Sequence, residues 1–358
     1  MQYIESITEA IGNTPLLKLN RVAREVEANV FVKLEYLNPS GSYKDRMALA
    51  MIEAAENGDT WNNRKLEPGG TVFEASAGNT APAVAMVSAS KGYKATLFLY
   101  RYSLKGGNDA RAKITAAYGP TVCISSEPEK YISNGQVLDY YYRLDKDMPH
   151  IVAAKKDCDL AEEENEGSVW LDQIYNKYNY IGQTSIGREI YAQLSGHVDA
   201  VGCSVSSGAS LYGMCLGLKE NGVRPEIVFG VVPEGSEEYI SLDKPESDKG
   251  EYEIKTVDRE LANKMGLKKW TQMDSIVEKL VADGYPDKFF LVTDEEARNM
   301  ADRLCREEGI YCGMSSGANV AVAIKIAERL GKGKNVVTLI VDRRDRYLSE
   351  FPNDKYVV

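Results

Sequence analysis

Lys44 is the residue of this sequence whose type and position most clearly suit covalent chemistry. It lies in the stretch 38–46, Asn-Pro-Ser-Gly-Ser-Tyr-Lys-Asp-Arg, between an apolar run at 30–34 that predicts a strand and a segment at 47–55 that predicts a helix. A lysine at a helix N-terminus opposes the helix dipole, which favours the neutral amine that a Schiff base requires. Taken by itself, the pattern also fits a solvated surface lysine beside an Asp–Arg pair.

Two further turns carry small polar residues that suit ligand binding. The turn 75–80, Ala-Ser-Ala-Gly-Asn-Thr, and the turn 206–210, Ser-Ser-Gly-Ala-Ser, each stand between a predicted strand and a predicted helix. The second turn offers backbone N–H groups and hydroxyls at a helix N-terminus, which is typical of a phosphate cradle. Taken alone, it fits a serine-rich helix cap equally well. Ser315 lies in a third turn of this kind, at 311–318.

The elements that position these turns predict an α/β fold. Predicted strands at 71–74, 95–100 and 121–125 alternate with predicted helices at 81–91 and 110–118. Such alternation indicates βαβ units and a mostly parallel sheet. Ligands of these sheets bind where strands end and helices begin, which is where the polar turns lie. The acidic run at 157–166 predicts a solvated loop or a short helix.

Composition restricts the class of protein. With 358 residues, of which 44% are hydrophobic and 27% charged, the chain predicts a two-domain globular protein. The formal net charge of −10 argues against nucleic-acid binding. No apolar run reaches membrane-spanning length and no signal peptide is evident, so we expect a cytoplasmic protein. Six cysteines without a Cys-x-x-Cys pair, and only two histidines, argue against a metal site or a disulfide framework.

Together, a reactive lysine, a polar turn, a phosphate cradle and a Ser-Ser-Gly turn fit a pyridoxal phosphate site. The motifs and their order resemble those of the cysteine synthase and cystathionine β-synthase family, in fold type II (tryptophan synthase β-like) of the pyridoxal phosphate enzymes. The resemblance extends from 12–16, Gly-Asn-Thr-Pro-Leu, to 346–348, Arg-Tyr-Leu. It implies two domains with mostly parallel twisted sheets. These are a larger cofactor-binding domain, 1–47 and 170–358, and a smaller mobile domain, 48–169, which carries the loop for the substrate carboxylate.

The resemblance also implies roles for individual residues. Lys44 would hold the cofactor as a Schiff base, Asn79 would contact the ring hydroxyl, and Ser315 would face the pyridine nitrogen. Because a serine, unlike an aspartate, cannot keep that nitrogen protonated, the ring would be a weaker electron sink, which suits β-elimination through an aminoacrylate. The other implied cofactor contacts are Ser206, Ser207, Gly208, Ala209 and Ser210, and the implied substrate contacts are Ser76, Ala77, Asn79, Thr80, Gln173 and Asp258.

Some residues depart from the family pattern. Ala77 stands where the loop usually has serine, and Ala81 where it usually has glycine. Thr256 and Asp258 stand where the family has the two glycines of a Gly-Ile-Gly segment beside the substrate. Asp258 would then bring a carboxylate to the place of the second substrate or leaving group. Alternatively, this insertion-rich region aligns differently and Asp258 is a surface residue.

The implied activity is β-replacement, in which serine or an activated serine or cysteine loses its β-substituent and a nucleophile adds. Two alternatives remain open. One is a pyridoxal phosphate-dependent β-lyase or dehydratase acting on cysteine or serine, with water or an amine as the nucleophile. The other is an inactive homologue that acts by binding. The expected partners are small amino acids and a second copy of the chain in a homodimer.

Overall fold

The computed structural model describes residues 3–76, 78–99, 109–124, 148–234, 240–242, 252–254, 275–347 and 351. The strands are β1 Leu16–Lys18, β2 Asn29–Lys33, β3 Thr71–Ser76, β4 Lys94–Leu99, β5 Thr121–Ile124, β6 Val169–Trp170, β7 Ala200–Ser204, β8 Ile227–Pro233, β9 Ile240–Leu242, β10 Tyr252–Ile254, β11 Lys288–Val292 and β12 Asn335–Leu339. The α-helices are α1 Lys44–Glu56, α2 Thr80–Lys91, α3 Asp109–Ala117, α4 Met148–Glu164, α5 Lys177–Gln193, α6 Ala209–Lys219, α7 Ile276–Ala282, α8 Asp294–Glu308 and α9 Met314–Leu330. Within these residues, no helix is both long and apolar enough to cross a membrane.

The chain groups into two compact units, each with its own sheet. The first unit contains Lys44–Asn179 with the segments Met1–Glu9 and Lys255–Ser275, and the second contains Ala10–Tyr43, Tyr180–Ile254 and Ile276–Val358. The predicted domains, with boundaries after 47 and before 170, and the mobility of the smaller one stay predictions.

The first unit is built on a parallel four-stranded sheet with the order β5-β4-β3-β6. Its core is aromatic on one side, where Phe73 and Trp170 lie among buried side chains of α4. Trp61 packs edge-on against Trp170, with 5.2 Å between ring centroids, and its indole donates to the Trp170 carbonyl. The carboxyl ends of β3 and β6 are therefore held side by side.

The second unit is built on a six-stranded sheet with the order β1-β2-β12-β7-β8-β11. The first pair is antiparallel and the remaining pairs are parallel. Side chains of β8 alternate between two hydrophobic cores, because Val228 and Val232 face one core while Phe229 and Val231 face the other. A parallel sheet covered on both faces leaves its strand ends as the place for ligands.

The strand–helix alternation and the α/β fold predicted from the sequence are confirmed. The acidic run at 157–166 is an exception, since α4 extends through it to Glu164 and Glu162 is fully buried. Glu162 accepts hydrogen bonds from the Trp170 backbone at 2.7 Å and from the Asn62 amide at 2.8 Å. A charged residue with such partners can be buried, which the run of acidic letters does not indicate.

Candidate active site

The proposed phosphate cradle is the turn between β7 and α6. Gly208 ends it in the left-handed conformation, at φ 80°, and is the N-cap of α6 without a side-chain capping bond. Ser206 is exposed and Ser207 half-buried, whereas Ala209 and Ser210 are buried in the first turn of the helix. The turn therefore offers helix N-terminal amides that no capping side chain occupies, together with serine hydroxyls.

Tyr43 connects this cradle to the lysine turn. A hydrogen bond joins the Tyr43 hydroxyl and the Ser210 side chain. Burial, with smaller contributions from Cys203 and Asp342, raises the pKa of Tyr43 above its usual value, so the phenol stays protonated and can donate. The Tyr43 backbone amide donates to the Val341 carbonyl at 3.0 Å, just beyond β12.

Lys44 is the first residue of α1 and is half-buried. The turn before it is fixed from the far end of the chain, since the Arg346 guanidinium donates to the carbonyls of Ser40 and Gly41. Gly41 has a φ of 88°, and a Cβ there would approach the Arg343 side chain to 3.0 Å. A residue of the last motif, 346–348, thus stabilises the turn that precedes Lys44.

Ser315 lies exposed in the first turn of α9. The next residue, Ser316, is fully buried and accepts a hydrogen bond from the Val341 backbone at 3.0 Å. The N-cap Gly313 has no room for a side chain, because a Cβ would lie 2.5 Å from Asp342 Oδ1. The two serines therefore have different environments, and Ser315 is the one accessible to a ligand.

The proposed carboxylate site occupies the ends of β3 and β6 in the first unit. Gln173 follows β6, and its amide makes two bonds to the neighbouring strand and loop. Its Nε2 donates to the Ala75 carbonyl at 3.1 Å, and its Oε1 accepts from the Thr80 hydroxyl at 2.7 Å. The Asn179 amide holds the Gln173 carbonyl at 2.6 Å. The structure thus brings Gln173, predicted as a substrate contact, against the predicted loop.

The loop itself has a compact local geometry. Ser76, the last residue of β3, is buried, and its hydroxyl accepts from the Gly78 amide at 3.0 Å. Asn79 is half-buried at the N-cap of α2, and Thr80 is the first residue of that helix. Ala77 and Asp258 lie outside the described residues.

Beneath this loop lies a buried ionic cluster that sequence reasoning missed. It consists of Glu74, Asp172 and Lys155, each at most 5% exposed. Lys155 Nζ lies 3.2 Å from Asp172 Oδ1 and faces the Tyr175 ring at 5.3 Å. The sequence did contain a sign of this cluster, because the strand 71–76 places the carboxylate of Glu74 among apolar residues, where a charged group needs a partner.

The residues present fit pyridoxal phosphate. The cradle offers uncapped helix amides and hydroxyls, which are the donors that a phosphate takes. A half-buried lysine at a helix N-terminus and an accessible hydroxyl at Ser315 complete the predicted set. Lys44, Asn79 and Gln173 belong to the first unit, and the cradle and Ser315 belong to the second.

Comparison with known proteins identifies the family. A family model described as pyridoxal-phosphate dependent enzyme matches residues 7–342. A cysteine synthase of Emericella nidulans is 33% identical over 96% of this chain and 84% of its own length. A crystal structure of an O-acetylserine dependent cystathionine β-synthase from Helicobacter pylori superposes with a TM-score of 0.70 at 26% identity, covering 98% of both chains. A hydrogen sulfide-producing enzyme from Fusobacterium nucleatum superposes with a TM-score of 0.72 at 25% identity, covering 97% of this chain and 99% of that one. The chain belongs to the pyridoxal phosphate-dependent enzymes, in the family of cysteine synthases and cystathionine β-synthases.

Proposed function

We propose that this protein catalyses pyridoxal phosphate-dependent β-replacement on serine, or on an activated serine or cysteine. The observation that carries the proposal is the Gln173 amide fixed between Ala75 and Thr80. An amide nitrogen has two hydrogens, and one is donated to Ala75. The second, with the Ser76 hydroxyl, supplies donors for the α-carboxylate of an amino acid, while the Thr80 hydroxyl orients Gln173.

Each remaining residue has a chemical role in this proposal. Bound pyridoxal phosphate supplies the electron sink for negative charge at the substrate α-carbon. Lys44 holds the cofactor and afterwards moves the α-proton, and its place at the start of α1 favours the neutral amine. Ser206, Ser207, Gly208, Ala209 and Ser210 orient the phosphate, while Asn79 and Ser315 contact the ring. Closure of the 76–80 loop on the carboxylate would exclude water from the reacting atoms.

The test is a substrate panel on the purified holoenzyme. Serine, O-acetylserine, O-phosphoserine and cysteine are each combined with sulfide or homocysteine, and the amino-acid products are identified. β-Replacement requires a product that contains the added nucleophile. Absence of any spectral change with all four amino acids would refute the proposed substrate class.

A β-lyase is the second candidate, and the likeness to a hydrogen sulfide-producing enzyme favours it. In that reaction cysteine and one water molecule would give hydrogen sulfide, pyruvate and ammonia, and no second amino acid or thiol would be needed. Formation of pyruvate from cysteine in the absence of a thiol distinguishes it from replacement.

Asp258 stays a predicted determinant of the nucleophile. Because it would repel the anion HS⁻, Asp258→Gly should raise sulfide-dependent turnover and lower the native reaction.

We also propose that the enzyme is a cytoplasmic homodimer. Tyr3, Ile4 and Ile7 near the N-terminus are between 47% and 74% exposed, and they are the apolar side chains that we propose a second copy covers. Light scattering on the purified protein should give twice the mass of 39.6 kDa. A monomeric mass at micromolar concentration would contradict the dimer.

A further inference from the structure

The buried cluster beneath the 76–80 loop carries more acidic groups than it can neutralise. Two carboxylates, Glu74 and Asp172, share one ammonium, that of Lys155. Fully ionised, the cluster would have a net charge of −1 in a site where charges are poorly solvated. Cys158, also buried beside them, stays a neutral thiol and does not add to the negative charge, because burial raises its pKa well above the usual value.

Hydrogen bonding points to the same imbalance. Within the described part of the chain, Glu74 Oε2 and Asp172 Oδ2 are buried without a hydrogen-bond partner. Ionised carboxylate oxygens only accept, and no donor in that part of the chain stabilises charge on these two atoms. A proton on one of the two carboxyl groups removes the excess negative charge of the cluster.

Glu74 is the better holder of that proton. Lys155 contacts Asp172 directly, at 3.2 Å, and so stabilises its ionised form. Burial, and next the charge of Asp172, raise the pKa of Glu74 to about 8, while Lys155 and two backbone amides oppose the shift. Glu74 is therefore neutral at pH 7 and ionises in the mildly alkaline range.

The same carboxyl group contacts both halves of the proposed carboxylate site. Glu74 Oε1 accepts from the Ala75 backbone N–H at 3.1 Å, and the Glu74 carboxyl also accepts from the backbone N–H of Gln173. Ala75 precedes Ser76, and the Gln173 side chain reaches back to Ala75 and Thr80. Asp172, at φ 47°, shapes the turn into Gln173 by accepting from the Ile174 amide at 3.1 Å.

We propose that neutral Glu74 is a positioning residue that aligns Gln173 with the 76–80 loop for an α-carboxylate. The inference rests on the proposed function, because it assumes that this loop recognises the carboxylate of an amino-acid substrate. Ionisation of Glu74 adds a negative charge beneath a site that must accept another, which weakens substrate binding. Affinity for the amino acid should therefore decline as Glu74 loses its proton, while the cofactor stays bound.

The test compares Glu74→Gln and Glu74→Ala with the wild-type holoenzyme. Glutamine keeps the carbonyl acceptor and a donor but cannot ionise, so it reproduces the neutral carboxyl. KM and kcat for the amino acid are measured from about pH 6 to pH 10, together with the visible absorbance of the bound cofactor. The amino group of the substrate titrates identically with each protein, so only the difference between profiles reports Glu74.

We expect the wild-type KM to rise by about tenfold per pH unit above pH 8, with a smaller change in kcat. Glu74→Gln should keep KM within about threefold of wild type near pH 6.5 and lack this rise, and Glu74→Ala should have a raised KM throughout. Glu162→Gln is the matched control, a buried glutamate of the same unit that bonds Asn62 and Trp170. Its pH profile should follow wild type.

A second measurement does not depend on turnover. Infrared spectra at pH 7 should contain the C=O band of a protonated carboxyl that is missing in Glu74→Gln and is lost from wild type above about pH 9. Superimposable KM profiles for wild type and Glu74→Gln, or absence of that band, would overturn the inference. If the amino acid changes the spectrum but the profiles superimpose, the inference alone fails; if the amino acid leaves the wild-type spectrum unchanged at every pH, the proposed function fails and the inference fails with it.

Discussion

The proposed phosphate cradle in the second unit and the proposed carboxylate site in the first unit are built by different means. In the second unit the cradle depends on backbone geometry, with Gly208 in the left-handed region and α6 uncapped by a side chain. In the first unit the Gln173 site depends on side chains, with the buried charges of Glu74, Asp172 and Lys155 behind it. Backbone N–H groups do not titrate and remain hydrogen-bond donors at any pH, whereas a buried carboxyl group loses its proton as the pH rises. Phosphate binding should therefore be insensitive to pH over a range in which carboxylate binding is not.

Both parts presuppose Lys44 as the reacting group, and its removal should have the largest effect. Lys44→Ala should lose the visible absorbance of lysine-bound cofactor and lower turnover by at least about a thousandfold. Some cofactor should still bind through its phosphate, because the cradle is untouched. Lys91→Ala is the control, since Lys91 lies at the end of α2 and pairs with Glu56 at 3.2 Å. An unchanged visible spectrum in Lys44→Ala would end the assignment of this lysine.

The backbone character of the cradle is tested at Gly208. Alanine there must adopt a φ of 80°, and its Cβ would lie 3.1 Å from the Val277 Cα. We expect a loss of about 1–3 kcal/mol in the free energy of unfolding and at least tenfold weaker cofactor binding, measured by denaturation and by dialysis. Gly222→Ala is matched in φ, at 74°, with nothing within 4 Å of its Cβ. It should lose about 1–2 kcal/mol of stability through its positive φ alone and bind cofactor normally. Equal cofactor affinities for the two variants would show that the cradle does not depend on this glycine.

The side-chain character of the carboxylate site should appear in the pH dependence of stability. The pKa of Glu74 is raised on folding from 4.5 to about 8. The folded state therefore binds the proton more tightly, so this contribution to stability is complete below pH 4.5 and is lost as the pH rises through 8. We measure the free energy of unfolding of both apoenzymes by chemical denaturation. The value for Glu74→Gln minus that for wild type should increase by roughly 1–3 kcal/mol between pH 6 and pH 9. A constant difference across that range would mean that Glu74 does not titrate there.

The difference between local backbone geometry and contacts of distant side chains also determines how much of the molecule can be predicted from the sequence. The strand-to-helix turns at 38–46 and 206–210 were predictable because glycine, serine and proline at fixed spacing determine local backbone geometry, and their roles as lysine turn and phosphate cradle stay predictions. Glu74, Asp172 and Lys155 are far apart along the chain and become neighbours only when β3, β6 and α4 pack together. A single sequence does not reveal such pairings, and the buried Glu162 was misinterpreted for that reason.

The smallest effect that still separates the two regions concerns the bond between the Thr80 hydroxyl and Gln173, at 2.7 Å. Thr80→Val keeps the shape of the side chain but removes the donor, so Gln173 Oε1 loses its partner. We expect KM for the amino acid to rise by about three- to tenfold, equivalent to about 1 kcal/mol, with cofactor affinity unchanged. Thr80→Ser should restore most of the loss, because its hydroxyl can reach the same acceptor.

Thr115→Val is the matched control for that variant. Thr115 is fully buried in the same unit, and its hydroxyl donates to the Arg111 carbonyl at 2.8 Å within α3. Its loss should lower stability by about 1 kcal/mol and leave KM unchanged. A double-mutant cycle of Thr80→Val with Gln173→Ala then isolates the coupling between the two side chains, which we expect to be about 1 kcal/mol. If the two KM effects simply add, Thr80 contacts the substrate independently of Gln173, and the carboxylate site is not the connected side-chain network that distinguishes it from the cradle.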